Sequence, residues 1–249
     1  MRELVGRPPV GRVFEAERRV RLADVSPGGR LRLDAAARFL QDVSADDTAD
    51  AALPDAETWV VRKTVIAVEA FPRYLEPLRL ATWCSGTGTH WAERRISIVG
   101  AAGGSLDAAT TWVHVDAATG RPARIPPGFE TVYGEASGGR RVKARLDHLD
   151  PPEPLPGGFA WPLRFSDFDA LAHVNNAAYW LPAEEHLAAR ADLVAPLRAE
   201  VEYRQGVVRD EAVTVVTGDV DGGFLQFWTV DGQVRSSARV QGMDAQSTV

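Results

Sequence analysis

The alternation of apolar and polar positions predicts short β-strands in two separate stretches of the chain. In the first stretch, strand-like runs bounded by glycine and proline turns are expected at residues 14–22, 59–69, 78–85, 91–99 and 108–115. Between the first two runs, Leu33 to Val43 carries its apolar residues at helical spacing. The first stretch is therefore predicted to form a strand, a helix and four further strands.

The same order of elements returns later in the chain. An apolar run at Trp161 to Phe165 predicts a strand, and Asn175 or Asn176 can cap a following helix. Because proline cannot continue a helix in its interior, Pro182 is expected to kink this helix or to delay its start. Further strands are expected at residues 200–207, 212–220, 224–230 and 233–241, with a hairpin turn before the last.

These patterns divide the chain into two domains and a connection between them. The predicted domains are residues 1–117 and residues 161–249, and the predicted linker is the proline- and glycine-rich stretch 118–160. The linker is expected to carry no secondary structure of its own and to lie against the domains.

The two domains are predicted to be copies of one unit. Asp24 and Asp167 lie 143 positions apart, and the same offset pairs Leu22 with Phe165, Leu31 with Val174 and Gln41 with Glu184. A sheet wrapped around one helix leaves a sheet edge and a helix flank uncovered, so the two copies are expected to pair. A homodimer of the whole chain is a further way to cover such edges.

Composition excludes several classes of protein. The net charge of −6 gives no overall attraction to nucleic acid or to an anionic membrane. The only cysteine, Cys84, excludes an intrachain disulfide framework and fits a reducing compartment. The first ten residues lack the apolar core of a signal peptide, and no apolar run is long enough to span a bilayer. We therefore expect a cytoplasmic protein with no membrane span.

The turn from Phe165 to Asn176 holds the densest candidate chemistry. It contains Asp169 and His173 just before the predicted helix, so a carboxylate, an imidazole and a helix N-terminus occur within a few residues. In the first copy, Ser26 stands at the position of Asp169 and Arg30 at that of His173. Capping alone would be equally useful in both copies. The asymmetry therefore predicts that the second copy carries the chemistry and that the first shapes a binding cavity.

Several short motifs, in register over residues 13–241, resemble the acyl-acyl-carrier-protein (acyl-ACP) thioesterases of the plant type and their bacterial relatives. They are Trp59-Val60-Val61, Phe71 to Glu76, Glu93-Arg94-Arg95, Thr119 to Pro122, Asp167-Phe168-Asp169 and His173 to Asn176, followed by Tyr179 and Glu185. The resemblance implies an α+β fold, the tandem (double) hotdog, with two antiparallel sheets each wrapped around a central helix. It also implies hydrolysis of fatty acyl-ACP thioesters with release of free fatty acid.

The resemblance implies a reduced catalytic set in this chain. Carried over by position, the family's catalytic Asp and His fall on Asp169 and His173, but its Asn falls on Leu171. Its Glu-Cys pair falls on Gly206 and Val207, so a cysteine nucleophile is excluded there. The predicted catalytic residues are Asp169, His173, Asn175 and Glu185.

The expected roles leave some alternatives open. Asp169 acts as a general base on water or attacks the thioester directly, and His173 positions the water. Asn175 can also be a plain helix cap, and Glu185 a solvated helix residue. No cofactor or metal is expected, since a thioester is electrophilic and its thiolate leaves readily. The expected partner is acyl carrier protein with its phosphopantetheine-linked acyl chain, and the basic run from Arg140 to Arg145 is its candidate docking site.

Two other functions fit the same fold. An acyl-CoA thioesterase would differ only in its carrier, and a non-catalytic acyl-binding protein would bind without releasing thiol. A hotdog dehydratase is disfavoured, because it would place its Asp and His five positions apart, whereas Asp169 and His173 are four apart.

Overall fold

Ten antiparallel strands form one continuous sheet, in the order β1-β3-β4-β5-β2-β7-β10-β9-β8-β6. The computed structural model describes residues 4–52, 59–148, 150–151 and 157–243. The strands of the first repeat are β1 (Phe14–Arg19), β2 (Trp59–Ala70), β3 (Pro77–Thr87), β4 (Trp91–Gly100) and β5 (Ser105–His114). Those of the second repeat are β6 (Phe159–Trp161), β7 (Leu197–Tyr203), β8 (Val213–Val220), β9 (Gly223–Val230) and β10 (Gln233–Gly242).

Each half of the sheet has one helix in the position expected from the sequence. Helix α1 (Leu33–Asp50) follows β1, and α3 (Leu181–Ala188) follows β6. Pro182 lies in the first turn of α3, where its missing N–H costs nothing. The delayed start expected from Pro182 is therefore confirmed. A short 3₁₀ turn, Ala178–Trp180, precedes α3.

The two repeats join edge to edge through β2 and β7. These strands pair antiparallel from Lys63 opposite Glu202 to Val68 opposite Leu197. The sheet edges that an isolated repeat would expose therefore cover each other within one chain. One apolar core accompanies this pairing, because buried side chains of α1, such as Leu33 and Val43, belong to the same cluster as Trp180 and Trp228 of the second repeat.

Two local expectations were wrong. Residues 161–165 do not form a strand, because β6 ends at Trp161 and Phe165–Asp167 form a 3₁₀ turn. Pro162 has no N–H to donate to a sheet, and the Asp167 carboxylate accepts the Arg164 N–H at 2.8 Å, which closes the turn.

The linker also contains a helix that the sequence pattern did not predict. Helix α2 (Pro127–Ser137) begins at a proline and ends at Gly138, which adopts a left-handed conformation with φ of 56°. It packs on β3 and buries Phe129 and Tyr133, so this part of the linker lies against the first repeat, as expected. Residues 149 and 152–156 of the linker lie outside the described residues.

Candidate active site

The turn before the helix is built by the same backbone hydrogen bonds in both repeats. In the first repeat, Ser26 N–H donates to the Arg30 carbonyl at 2.8 Å; in the second, Asp169 N–H donates to the His173 carbonyl at 2.9 Å. Leu31 N–H donates to Pro72, and its counterpart Val174 donates to Val207. The repeat inferred from the sequence is therefore reproduced bond by bond, and side chains at matched positions can be compared directly.

Asp169 is half-buried and its carboxylate holds the turn together. Its Oδ1 accepts the N–H groups of Leu171 at 2.9 Å and His173 at 3.3 Å. The other oxygen, Oδ2, has no hydrogen-bond partner among the described residues. One side of the carboxylate is thus fixed, while the other remains able to accept a proton or to approach an electrophile.

The His173 imidazole lies against the backbone of Gly206 rather than on the Asp169 carboxylate. The side chain is exposed, and a Cβ atom built on Gly206 would lie 3.0 Å from its Cδ2. The structure brings the His173 backbone N–H to Asp169, but no hydrogen bond joins the two side chains among the described residues. Asp169 and His173 therefore lie in one turn, and the His173 ring faces the loop at Gly206.

The corresponding place in the first repeat is closed by an ion pair. Arg30 stacks on the Phe71 ring, with its Cζ 4.5 Å from the ring centroid, and pairs with Glu184 of α3 at 2.8 Å. The other Glu184 oxygen accepts the N–H of Leu33, the first residue of α1, at 3.0 Å. Burial raises the pKa of Glu184, although Arg30 and the Leu33 N–H oppose that shift. A side chain from the second repeat therefore fills this end of α1.

The start of the helical segment in the second repeat is left open. Asn175 Oδ1 accepts the Ala177 N–H at 2.9 Å, and the Asn175 carbonyl accepts the Ala178 N–H at 2.8 Å. The N–H of Asn176, the counterpart of Leu33, has no partner in the described part of the chain. A free N–H at the start of a helical segment is suited to hold an oxyanion.

Buried aromatic residues hold this open end in place. The Tyr203 hydroxyl donates to the Asn176 carbonyl at 3.0 Å and accepts the Trp180 indole N–H at 3.1 Å. The Tyr179 hydroxyl accepts the Val207 N–H at 3.1 Å. Burial raises the pKa of Tyr179 to about 12, so this hydroxyl stays protonated at neutral pH. The orientation of the Asn176 N–H is thus fixed by neutral groups.

Two of the predicted site residues have separate surroundings. The Asn175 side-chain oxygen closes a turn by accepting the Ala177 N–H, and the expected helix cap is wrong, because the cap residues of the 3₁₀ turn and of α3 are Ala177 and Trp180, which have no side-chain cap. Glu185 is exposed on α3 and makes no hydrogen bond or ion pair among the described residues, whereas the adjacent Glu184 is the buried carboxylate. The structure therefore brings Asp169 and His173 together in one turn, and leaves Glu185 outside that turn.

A cavity of about 680 Å³ lies in the first repeat, between α1, the sheet and α2. Its volume falls within the range of small-molecule pockets. Much of its wall is apolar, formed by residues that include Ala45, Ala49, Trp59, Trp112 and Phe129. This agrees with the expectation that the first repeat shapes a binding cavity.

Tyr133 and Arg94 on the cavity wall are held by a buried carboxylate next to the cavity. Tyr133 donates to the buried Asp47 carboxylate at 2.8 Å, and Arg94 and Arg12 both pair with that carboxylate. Cys84 also lines the cavity, and burial raises the pKa of its thiol to about 11. Because the thiolate is the reactive form, Cys84 is inert at neutral pH.

A second, much smaller cavity extends toward the open helix end. Its volume is about 20 Å³, and it is lined by residues of both repeats, among them Asn176, Ala177 and Tyr203. Gln41, Ser44 and Trp112 line both this cavity and the larger one. The two cavities are therefore neighbours, and the smaller one leads from the first repeat to the Asn176 N–H.

Other features bear on the expected partners. Arg140, in the candidate docking run, forms an ion pair with Glu93 at 2.6 Å and donates to the Ser85 carbonyl, so it anchors the linker to β3 and β4. Among the described residues, no group of three or more His, Cys, Asp or Glu side chains is placed to hold a metal ion. No helix among them is long and apolar enough to cross a membrane.

Sequence reasoning missed contacts between residues that are distant along the chain. The Arg30–Glu184 pair and the Tyr133–Asp47 contact join positions more than 80 residues apart, which no local pattern reveals. The signal in the sequence that pointed to Glu184 was the repeat offset, because it matches this residue with Gln41 of the first repeat. Helix α2, which covers the cavity, was hidden by the prolines and glycines around it.

Comparisons with known proteins agree on one family. The model of the acyl-ACP thioesterase N-terminal domain matches residues 11–133, and that of the C-terminal domain matches residues 159–242. An uncharacterized protein of Mycobacterium tuberculosis is 32% identical over 249 residues, covering 94% of each chain.

Solved structures share the architecture. An acyl-ACP thioesterase from Bacteroides thetaiotaomicron superposes with a TM-score of 0.76 at 17% identity, over 92% of this chain and 97% of the other. The 12:0-ACP thioesterase from Umbellularia californica superposes with a TM-score of 0.74 at 21% identity, over 92% of this chain and 96% of the other. The predicted α+β tandem hotdog is therefore confirmed.

Proposed function

The chain belongs to the acyl-ACP thioesterase family and hydrolyses fatty acyl-ACP thioesters, and we propose that Asp169 of the second repeat is the group that drives this reaction. The observation that carries the proposal is the difference between the matched turns. Where the second repeat has a carboxylate with one free oxygen and, seven residues later, an open N–H, the first has Ser26 and an N–H occupied by Glu184.

The proposed substrate path uses both repeats. The acyl chain occupies the 680 Å³ cavity of the first repeat, and the thioester lies at the small cavity beside Asn176. The Asn176 N–H donates to the thioester oxygen and stabilises the negative charge that develops there. Binding and chemistry are thus divided between the two copies.

The proposed reaction balances without a cofactor. Asp169 takes a proton from water as the water oxygen bonds to the carbonyl carbon, and the oxyanion forms at the Asn176 N–H. The C–S bond then breaks, and the departing thiolate takes up the proton. In the alternative, Asp169 attacks the carbonyl itself and water cleaves the resulting anhydride. Heavy-oxygen label from water in the Asp169 carboxylate after one turnover would identify this second route.

The other predicted residues take supporting roles. The exposed His173 ring, resting on Gly206, orients the attacking water, and the Asn175 side chain holds the turn around Asn176 by accepting the Ala177 N–H. Glu185 is assigned no role beyond that of a solvated residue on α3. We propose a cytoplasmic location, because the lone buried Cys84 fits a reducing compartment.

Replacing the Asp169 carboxylate by an amide tests the proposed function. The Asp169→Asn variant is expected to keep its fold and its affinity for acyl-ACP while losing hydrolysis by about three orders of magnitude or more, because an amide can neither take the proton nor attack. Thiol release from acyl-ACP and from acyl-CoA measures the rate. The matched control is Ser26→Ala in the first repeat, which should hydrolyse like the wild type. Thiol release by Asp169→Asn at the rate of the control would reject the assignment.

A further inference from the structure

At each of the two matched backbone N–H groups, the opposite repeat contributes a different side chain. At the first, Glu184 crosses from the second repeat and accepts the Leu33 N–H at 3.0 Å. At the second, the matched N–H belongs to Asn176, and the residue matched to Glu184 is Gln41. The pseudo-twofold relation between the repeats therefore directs the Gln41 side chain toward the Asn176 N–H.

The position of Gln41 agrees with that relation. Gln41 is half-buried on α1, and it lines the small cavity together with Asn176 as well as the large cavity. Its amide makes no hydrogen bond within the described part of the chain. The indole N–H of Trp112, which also lines both cavities, is buried there and has no partner among the described residues either. Unused donors thus gather between the cavity of the first repeat and the turn of the second.

The chemistry at this point calls for a second donor. The N–H groups of Ala177 and Ala178 are both taken by Asn175, whereas the Asn176 N–H has no partner among the described residues. Oxyanion sites are built from several donors aimed at the position where charge develops. A neutral amide can supply such a donor, whereas a carboxylate in its place would accept the N–H and repel the oxyanion.

We propose that Gln41 is a catalytic residue contributed by the first repeat to the reaction of the second, with its Nε2–H donating to the thioester oxygen beside the Asn176 N–H. The inference rests on the proposed function and adds to it a residue that the family motif does not contain. Glu184 of the second repeat is the natural counterexample, because its carboxylate accepts the Leu33 N–H and, with Arg30, closes the matched site in the first repeat.

Two substitutions of nearly equal size test this role. Gln41→Met removes the donor while keeping the volume, and kcat for acyl-ACP should fall about 10²-fold, the usual effect of losing one oxyanion donor, with KM changed by less than about twofold. Gln41→Glu should fall further at pH 8, and its rate relative to that of the wild type should rise as the pH is lowered through the ionisation range of a carboxyl group. The control is Asp42→Ala, because Asp42 is exposed on the same helix and lines neither cavity.

A role in lining the cavity alone gives a different result. In that case Gln41→Met would change KM in a way that depends on acyl chain length and would leave kcat at the wild-type value, which overturns the proposal. A Gln41→Glu rate that follows the wild-type pH profile would overturn it as well. If Asp169→Asn is inactive and Gln41→Met is fully active, the role of Gln41 alone fails. If Asp169→Asn is active, the proposed function itself fails, whatever Gln41 does.

Discussion

Three matched pairs of residues separate the open turn from the closed one. In the second repeat, Asp169 replaces Ser26, His173 replaces Arg30, and Gly206 replaces Phe71. The third pair is matched through the backbone: Phe71 precedes Pro72, which accepts the Leu31 N–H, and Gly206 precedes Val207, which accepts the equivalent N–H. In the first repeat the large Phe71 ring supports a long guanidinium. In the second, the absence of a side chain at Gly206 lets the smaller imidazole rest on the backbone. A side chain at Gly206 would meet the His173 ring, which lies in that space.

Adding a methyl group at Gly206 should therefore disturb the reaction more than the fold. A Cβ atom there lies 3.0 Å from the His173 Cδ2, so the ring must shift by a few tenths of an ångström. For Gly206→Ala we expect kcat to fall several-fold, since small misplacements of a positioning group are costly, with stability within about 0.5 kcal/mol of wild type because the loop is exposed. Gly218→Ala, with nothing within 4 Å, is the control. Equal kcat values in the two variants would contradict this role of His173.

Among the helices, α3 connects the repeats through one buried side chain. Its Glu184 pairs with Arg30 and holds the Leu33 N–H at the start of α1, so one side chain ties the second helix to the first turn. The carboxylate is buried, whereas Arg30 keeps about a fifth of its side chain exposed, at 22%. The contact is therefore closer to a buried ion pair than to a surface one.

Breaking this contact should lower the stability of the protein. Glu184→Ala leaves both Arg30 and the Leu33 N–H without their partner, and we expect a loss of about 3 kcal/mol, the lower end for breaking a buried pair. Glu184→Gln should lose less, because its amide oxygen still accepts the Leu33 N–H and no buried charge remains on the side chain. Urea unfolding of the two variants measures the difference. Equal losses would show that the Leu33 contact contributes nothing.

Element by element, the sequence predicted most of what has a strong local pattern. The strands at Trp59 and Trp91 begin where the alternation begins, and α1 begins at Leu33 as expected, although it extends beyond Val43 to Asp50. The pattern failed where a neighbour or a cap decides the structure: at Pro162, which ends β6, and in α2. The turn that holds Asp169 and His173 could be identified as a candidate site because its residues are adjacent in the chain, whereas the Glu184 contact depends on tertiary packing.

At the scale of the whole molecule, the β2–β7 junction carries a buried network of charges. Glu200 on β7 receives Lys63 of β2 at 3.1 Å, Arg198 at 2.6 Å and Arg239 at 3.0 Å, and His148 of the linker approaches it at 3.4 Å. The network therefore joins both repeats and the linker at one carboxylate. The internal repeat in the sequence predicted that the two halves would pair. It did not predict that β2 and β7 are the strands that meet, because that depends on long-range contacts.

This network predicts how stability changes with pH. Burial alone would raise the pKa of Glu200, but the nearby His148 and the charges of Lys63 and Arg198 outweigh it and hold the pKa far below the usual value of 4.5. A lowered pKa in the folded state means that the ionised form stabilises the fold above the unfolded-state pKa. This contribution is lost as the pH falls below that value.

Thermal unfolding from neutral pH down to about pH 3 measures this contribution. The Tm of the wild type should fall steeply below about pH 4.5. Glu200→Gln should have a lower Tm at neutral pH and a shallower fall in acid. Glu17→Gln, at an exposed position of β1, is the control and should follow the wild type. Parallel curves for the wild type and Glu200→Gln would exclude Glu200 as a source of the acid sensitivity.

Single-turnover hydrolysis of acyl-ACP, measured together with acyl-ACP binding, tests most directly whether the second repeat carries the chemistry. With Asp169→Asn in excess over substrate, we predict binding at the wild-type Kd, no thiol release on the wild-type timescale, and normal release by Ser26→Ala. Release by Asp169→Asn at the wild-type single-turnover rate would contradict the division of binding and chemistry between the two repeats.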